Sequence, residues 1–153
     1  MDPALTAPVI AIDPDVARDG LGSRLVGPHM PIARGLHQAA SRARQLGASA
    51  IQVFTDNPTA WTPRSEPHEG LDEFRRQLQA SGIDLLVHAS YIINLATPDP
   101  VAFERSIERM VRELDTARAF GASALNVHIG SHKGSGREAG VCLLYTSPSP
   151  RDS

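Results

Sequence analysis

GASALNVH at residues 121–128 repeats GASAIQVF at 47–54, and SGIDLLVH at 81–88 is a looser third copy. Each copy carries, at its first or second position, a glycine suited to stopping a helix, because glycine enters the left-handed conformation at no steric cost. A short link and an apolar run follow, and each run ends in Val plus one further residue, Phe54, His88 or His128. The aligned glycines Gly47, Gly82 and Gly121 lie 35 and 39 residues apart, room for one strand and one helix per step. Such a unit buries its apolar strand only by lying beside the next copy, so the repeat implies parallel β/α units.

Outward from the repeat, strand-like and helix-like runs alternate. Strands are expected at LVGPHM (25–30), AIQVFT (50–55), DLLVHAS (84–90) and ALNVHIG (124–130), and helices near 33–46, 69–81 and 100–120. The fold class is therefore α/β with about four β/α units. In the third helix Asp99 is placed to cap, and Pro100 suits the first helical position, where its missing N–H would have no partner anyway. Phe103, Ile107, Met110, Val111, Leu114 and Ala117 follow helical spacing, and Gly121 ends the run. Between them, Glu104, Arg105, Glu108, Arg109, Arg112 and Glu113 read as a solvated face.

At 153 residues the chain holds one ordinary domain and falls short of the roughly 250 residues of a complete eight-unit barrel. Hydrophobic residues make up 41% and charged ones 21%, which suits a globular core. A net charge of -2 carries no global signal for nucleic acid, so any such contact must come from local arrangement. A lone cysteine, Cys142, excludes an intrachain disulfide. No run approaches the ~18 apolar residues of a membrane span, and the start lacks the basic and apolar segments of a signal peptide, so a cytoplasmic location is expected. Residues 1–22, with Pro3, Pro8 and Pro14, read as a flexible leader, 23–140 as the folded part, and 141–153 as an aberrant tail without helical period.

The repeat also places chemistry. His88 and His128 share one position at the carboxyl ends of successive strands, with His29 near the end of the first. That rim is where catalytic and metal-binding groups collect in parallel α/β folds. Neutral imidazole suits zinc, but a catalytic site also needs carboxylates and an open position. Only Asp56 follows a strand end closely, so weak zinc binding at most is expected.

HASYIINLA (88–96), together with FTDNPTAW (54–61), VHIGSHKGSGRE (127–138) and VGPHMPIARGL (26–36), resembles the amino-terminal half of endonuclease IV, a zinc-dependent apurinic/apyrimidinic endonuclease family with a TIM-barrel fold. The resemblance covers roughly residues 24–140. It implies a partial TIM (β/α)8 barrel and a DNA-repair enzyme that uses three zinc ions to cleave the backbone 5′ to an abasic site in double-stranded DNA. His88 and His128 match two ligands of that cluster. Tyr91 and Ile92 match a loop that wedges into DNA at the lesion. Phe54, Asn57 and Trp61 match a second DNA-facing loop, His132 completes a GSH element that touches phosphate or holds its loop, and His29 lines the site. Ile93 and Leu95 are expected in the core.

The family's remaining acidic and histidine ligands would come from later strands, so the zinc site is incomplete in this chain and catalysis by it is not expected. Translated vector sequence would account for the tail CLLYTSPSPRDS. Two other functions fit strand-end histidines: a divalent-metal sugar isomerase or epimerase, and a noncatalytic half-barrel that binds damaged DNA or a protein. A half-barrel exposes strand edges, which favours self-association.

Overall fold

The computed structural model describes residues 24–62, 64 and 66–146. The expected leader at 1–22 and the last seven residues of the tail lie outside this range. Seven elements follow in order: α1 (Leu36–Gln45), β1 (Ala50–Val53), α2 (Leu71–Ala80), β2 (Asp84–His88), α3 (Pro100–Phe120), β3 (Ala124–Asn126) and α4 (Arg137–Thr146). The three strands form one parallel sheet in the order β1-β2-β3. Ile51 pairs with Leu85 and His88 with Asn126. This is an arc of a TIM barrel.

The three repeat glycines all adopt left-handed φ values, 66° at Gly47, 63° at Gly82 and 73° at Gly121. Each turns the chain from a helix toward the next strand, as the repeat requires. Asp99 caps α3 by accepting from the N–H groups of Val101 at 2.9 Å and Ala102 at 3.0 Å. The strand alternation sorts two faces. Ile51, Val53, Leu85 and Val87 point outward into a core with Ala39, Ala40, Ala43, Phe74, Leu78, Ala117 and Phe120 from the helices. On the opposite face lie Gln52, Leu86 and His88, with Asn126 reaching Gln52 at 3.3 Å.

Three expectations are corrected. The segment at 25–30 is not a full strand: it joins β1 through a single parallel bridge, His29 to Gln52. Met30 N–H donates to Gln52 O and Gln52 N–H to Pro28 O, but proline offers no N–H of its own. The approach is so close at Gly27 that a Cβ there would stand 1.5 Å from Ala50 O. Second, α4 continues six residues past the expected boundary at 140. It buries little beyond Gly140, and Val141 and Tyr145 stay exposed, which is why no amphipathic period shows in the sequence.

The third correction concerns α3. Arg109 and Glu113 belong to no solvated face; each is only 4% exposed. The buried stripe of α3 is Ser106, Arg109, Glu113, Ala117 and Phe120, while Val111, expected in the core, is exposed. Ile107 and Met110 are half-buried against a smaller cluster of Ala89, Ile93 and Leu95. Ile93 and Leu95 are core residues, as expected.

Candidate metal and nucleic-acid site at the strand ends

Five rings meet where the strands end. His88 lies 5.0 Å from His128, 6.2 Å from His29 and 4.9 Å from Phe54, measured between ring centroids. Tyr91 packs edge-on against Phe54 at 5.1 Å and near His88 and His128 at 5.6 Å each. Register places Phe54 level with His88, each one residue past the paired Val53 and Val87. His88 pairs with Asn126, however, so His128 lies two residues farther on, beyond the end of β3; the expected shared position is corrected to neighbouring ones on the same face.

The hydrogen bonds fix ring roles. His88 Nδ1 lies 2.7 Å from Ala89 O. A carbonyl only accepts, so Nδ1 carries the proton and the Nε2 lone pair is left for a ligand. His29 differs: its Nδ1 accepts from Gln52 Nε2 at 3.0 Å, and Gln52 Oε1 in turn accepts from Asn126 at 3.3 Å. Neutral His29 therefore presents an Nε2–H donor. Burial, and then the neighbouring His88, hold His29 below the usual imidazole pKa. His128 is exposed beside them.

The expected DNA-facing residues divide between two loops. Tyr91 stands 54% exposed after β2 with Ile92 half-buried beside it. Asn57 and Trp61 are exposed after β1; Asn57 Oδ1 accepts from Thr59 N–H and hydroxyl at 3.0 and 2.9 Å. Trp61 lies under the Arg105 guanidinium at 4.3 Å. His132 holds its own loop, accepting at Nδ1 from the N–H groups of Gly134 and Gly136 at 3.2 Å each. Asn94 ties the β2 loop to the β3 loop, donating to Ser131 O at 3.0 Å and accepting from Ser131 N–H at 2.8 Å.

The donor set tests the metal expectation. Imidazoles His88 and His128 fit a zinc site, but among the described residues no group of three or more His, Cys, Asp or Glu converges on one point. Asp56, the one carboxylate near the mouth in sequence, is spent elsewhere: it accepts from the N–H groups of Asn57 and Arg64 at 2.7 Å and pairs with Arg109 at 3.4 Å. The described residues therefore supply part of a ligand set and no complete zinc site.

Sequence reasoning missed the cluster behind the rings. Glu113 accepts from Ser90 Oγ and from Thr55 Oγ1, the latter at 3.5 Å. Arg109 donates to Glu113 at 3.1 Å, to Ser90 Oγ at 3.0 Å and to Trp61 O at 3.5 Å. The available signal was at the strand ends: Thr55 and Ser90 bring hydroxyls into an apolar setting, and buried hydroxyls require partners.

A family model described as "Xylose isomerase-like TIM barrel" matches residues 40–146, more than half of the chain. The chain belongs to the xylose isomerase-like TIM-barrel family. Within that TIM-barrel family it is similar to the probable endonuclease 4 of Nitratidesulfovibrio vulgaris, 38% identical over 76% of this chain and 42% of the relative. The probable endonuclease 4 of Streptomyces avermitilis is 42% identical over 83% of this chain and 41% of the relative. The crystal structure of endonuclease IV from Thermus thermophilus superposes with a TM-score of 0.66 at 30% identity, covering 79% of this chain and 46% of that one. The resemblance to the endonuclease IV type of TIM barrel therefore holds. This chain spans less than half the length of those relatives.

Proposed function

We propose that this chain is the amino-terminal part of a DNA-repair endonuclease that hydrolyses the phosphodiester 5′ to an abasic site. One observation carries the proposal: His88 and His128 stand 5.0 Å apart at the strand ends, directly beside the exposed Tyr91. Metal-binding imidazoles next to a projecting aromatic suit an enzyme that must both open a base stack and attack a phosphodiester. A sugar isomerase has no use for that aromatic. When bound, zinc would polarise the phosphate and activate water.

The residues of this chain have separate tasks. The bond to Ala89 O holds the proton on His88 Nδ1 and leaves its Nε2 lone pair to serve as a ligand, and His128 supplies a second imidazole. His29 offers an N–H donor to a phosphate oxygen. Tyr91 and Ile92 form the wedge, Asn57 and Trp61 line the neighbouring strand path, and His132 shapes the third loop. The remaining ligands belong to the length that the relatives have beyond this match, so the chain alone is inactive. Its open sheet edges favour self-association, and its place of work is the cytoplasm. Among the described residues no helix is long and apolar enough to cross a membrane.

The test joins this chain to the carboxy-terminal portion of the Streptomyces avermitilis relative. The chimera is expected to incise a duplex carrying a tetrahydrofuran abasic analogue, in a zinc-dependent reaction lost in His88→Ala and His128→Ala. The 153-residue chain alone should not incise it. A folded, zinc-loaded chimera that leaves the duplex intact and isomerises aldoses would overturn the proposal.

A further inference from the structure

Arg109 sits at the middle of an i, i+4, i+8 row on α3, with Arg105 one turn before and Glu113 one turn after. The row faces two loops at once. On the β1 side, Arg105 covers the Trp61 ring at 4.3 Å, and Arg109 reaches Trp61 O at 3.5 Å and Asp56 Oδ2 at 3.4 Å. On the β2 side, Arg109 donates to Ser90 Oγ at 3.0 Å, and Ser90 donates to Glu113. Thr55 closes the circuit from the β1 side through Glu113. Thr55, Ser90, Arg109 and Glu113 are each at most 4% exposed.

We infer that Arg109, held by Glu113, is a positioning residue that couples the loop at 55–61 to the loop at 89–96, so that a change in one is felt in the other. A guanidinium presents several donors in a rigid fork, so the geometry that satisfies Ser90 also sets where Asp56 and Trp61 can lie. Being buried, its donors have no water to fall back on, and the alternative to the observed arrangement is an unpaired charge. Ser90 immediately precedes Tyr91, and Trp61 lies on the other arm. If the loops contact DNA, as the proposed function holds, engagement of the wedge would be sensed by the adjoining strand path. A second link runs parallel to it: Tyr91 N–H donates to Pro58 O at 2.9 Å. The test must separate the two.

Trp61 is the single tryptophan, so acrylamide quenching of its fluorescence reports the β1 loop alone. The cycle compares Ser90→Ala in the parent chain and in an Arg109→Met/Glu113→Leu background, in which no buried charge is stranded. In the parent, Ser90→Ala is expected to raise the quenching constant. The ceiling is about 2.8-fold, the ratio of full exposure to the present 36%. In the double-variant background the same substitution should change nothing, with circular dichroism the same in all four proteins. An equal rise in both backgrounds would overturn the coupling and assign it to the Tyr91–Pro58 bond; no rise in the parent would overturn it as well. Should the double background not fold, Arg109→Lys serves in its place. A parallel titration with the abasic duplex keeps the two claims apart: failure of the parent to bind counts against the proposed function, while the quenching cycle still decides the coupling.

Discussion

Replacing Glu113 by Leu should destabilise the fold sharply, whereas replacing Glu113 and Arg109 together should not. Glu113 is 4% exposed and receives Arg109 at 3.1 Å, along with the hydroxyls of Ser90 and Thr55. Removing one member of a buried ion pair typically costs about 3–5 kcal/mol, most of it from the charge left behind. Arg109 would keep Asp56 at 3.4 Å, and that carboxylate is itself 20% exposed. The expected loss is therefore at the lower end, ~3 kcal/mol. With an m-value of about 2 kcal/mol/M, the urea midpoint would fall by about 1.5 M. Arg109→Met/Glu113→Leu should lie within about 1 kcal/mol of the parent, since apolar side chains of similar volume replace buried pairs at little cost. Urea unfolding followed by circular dichroism at fixed protein concentration measures all three. A single-variant loss below about 1 kcal/mol, or a double-variant loss equal to the single, would refute the account.

Further outcomes follow from other contacts. Asp99→Ala removes the acceptor for Val101 and Ala102 N–H and should cost ~1 kcal/mol in the same unfolding assay, with Asp99→Asn recovering most of it. Gly130→Ala should release the clamp between the second and third loops, because Gly130 has φ 88° and a Cβ there would stand 2.0 Å from Asn94 Oδ1. Faster amide exchange at Ser131 with unchanged exchange in β1 would be the signature. Zinc should bind the chain weakly, since two imidazoles without a free carboxylate make a partial ligand set. Stoichiometric submicromolar binding by isothermal titration would show that the chain completes a site by itself.

The converging histidines are legible because they follow from the repeat: offsets of six residues from Gly82 and seven from Gly121 carry His88 and His128 to the same rim, although the register pairs His88 with Asn126 and leaves His128 two residues farther on. Helix α3 is legible at its ends for similar reasons, Asp99 and Pro100 at one and Gly121 at the other. Its middle is not. Charges four apart look the same in sequence whether they lie in water or under two loops, and only the position of the loops decides. The segment at 25–30 misleads in another way, since an apolar run signals burial but Gly27 and Pro28 limit its pairing to one bridge. In α4, turns that bury little leave no apolar stripe to read.

The grip of α3 on both loops also bears on how this molecule can be altered. A loop transplanted from a relative arrives without the helix side chains that seated it; Ser90 changed alone removes the hydroxyl that Arg109 holds on the β2 side, and Asp56 changed alone leaves it only Trp61 O on the other. Residues 55–61, 89–91 and the middle turns of α3 thus form one exchangeable cassette, scattered along the chain yet heritable only as a set. Grafts that respect its borders should keep their shape, and a graft of one loop would need matching changes some 20 to 50 residues away, at the separations that part Ser90 and Asp56 from Arg109.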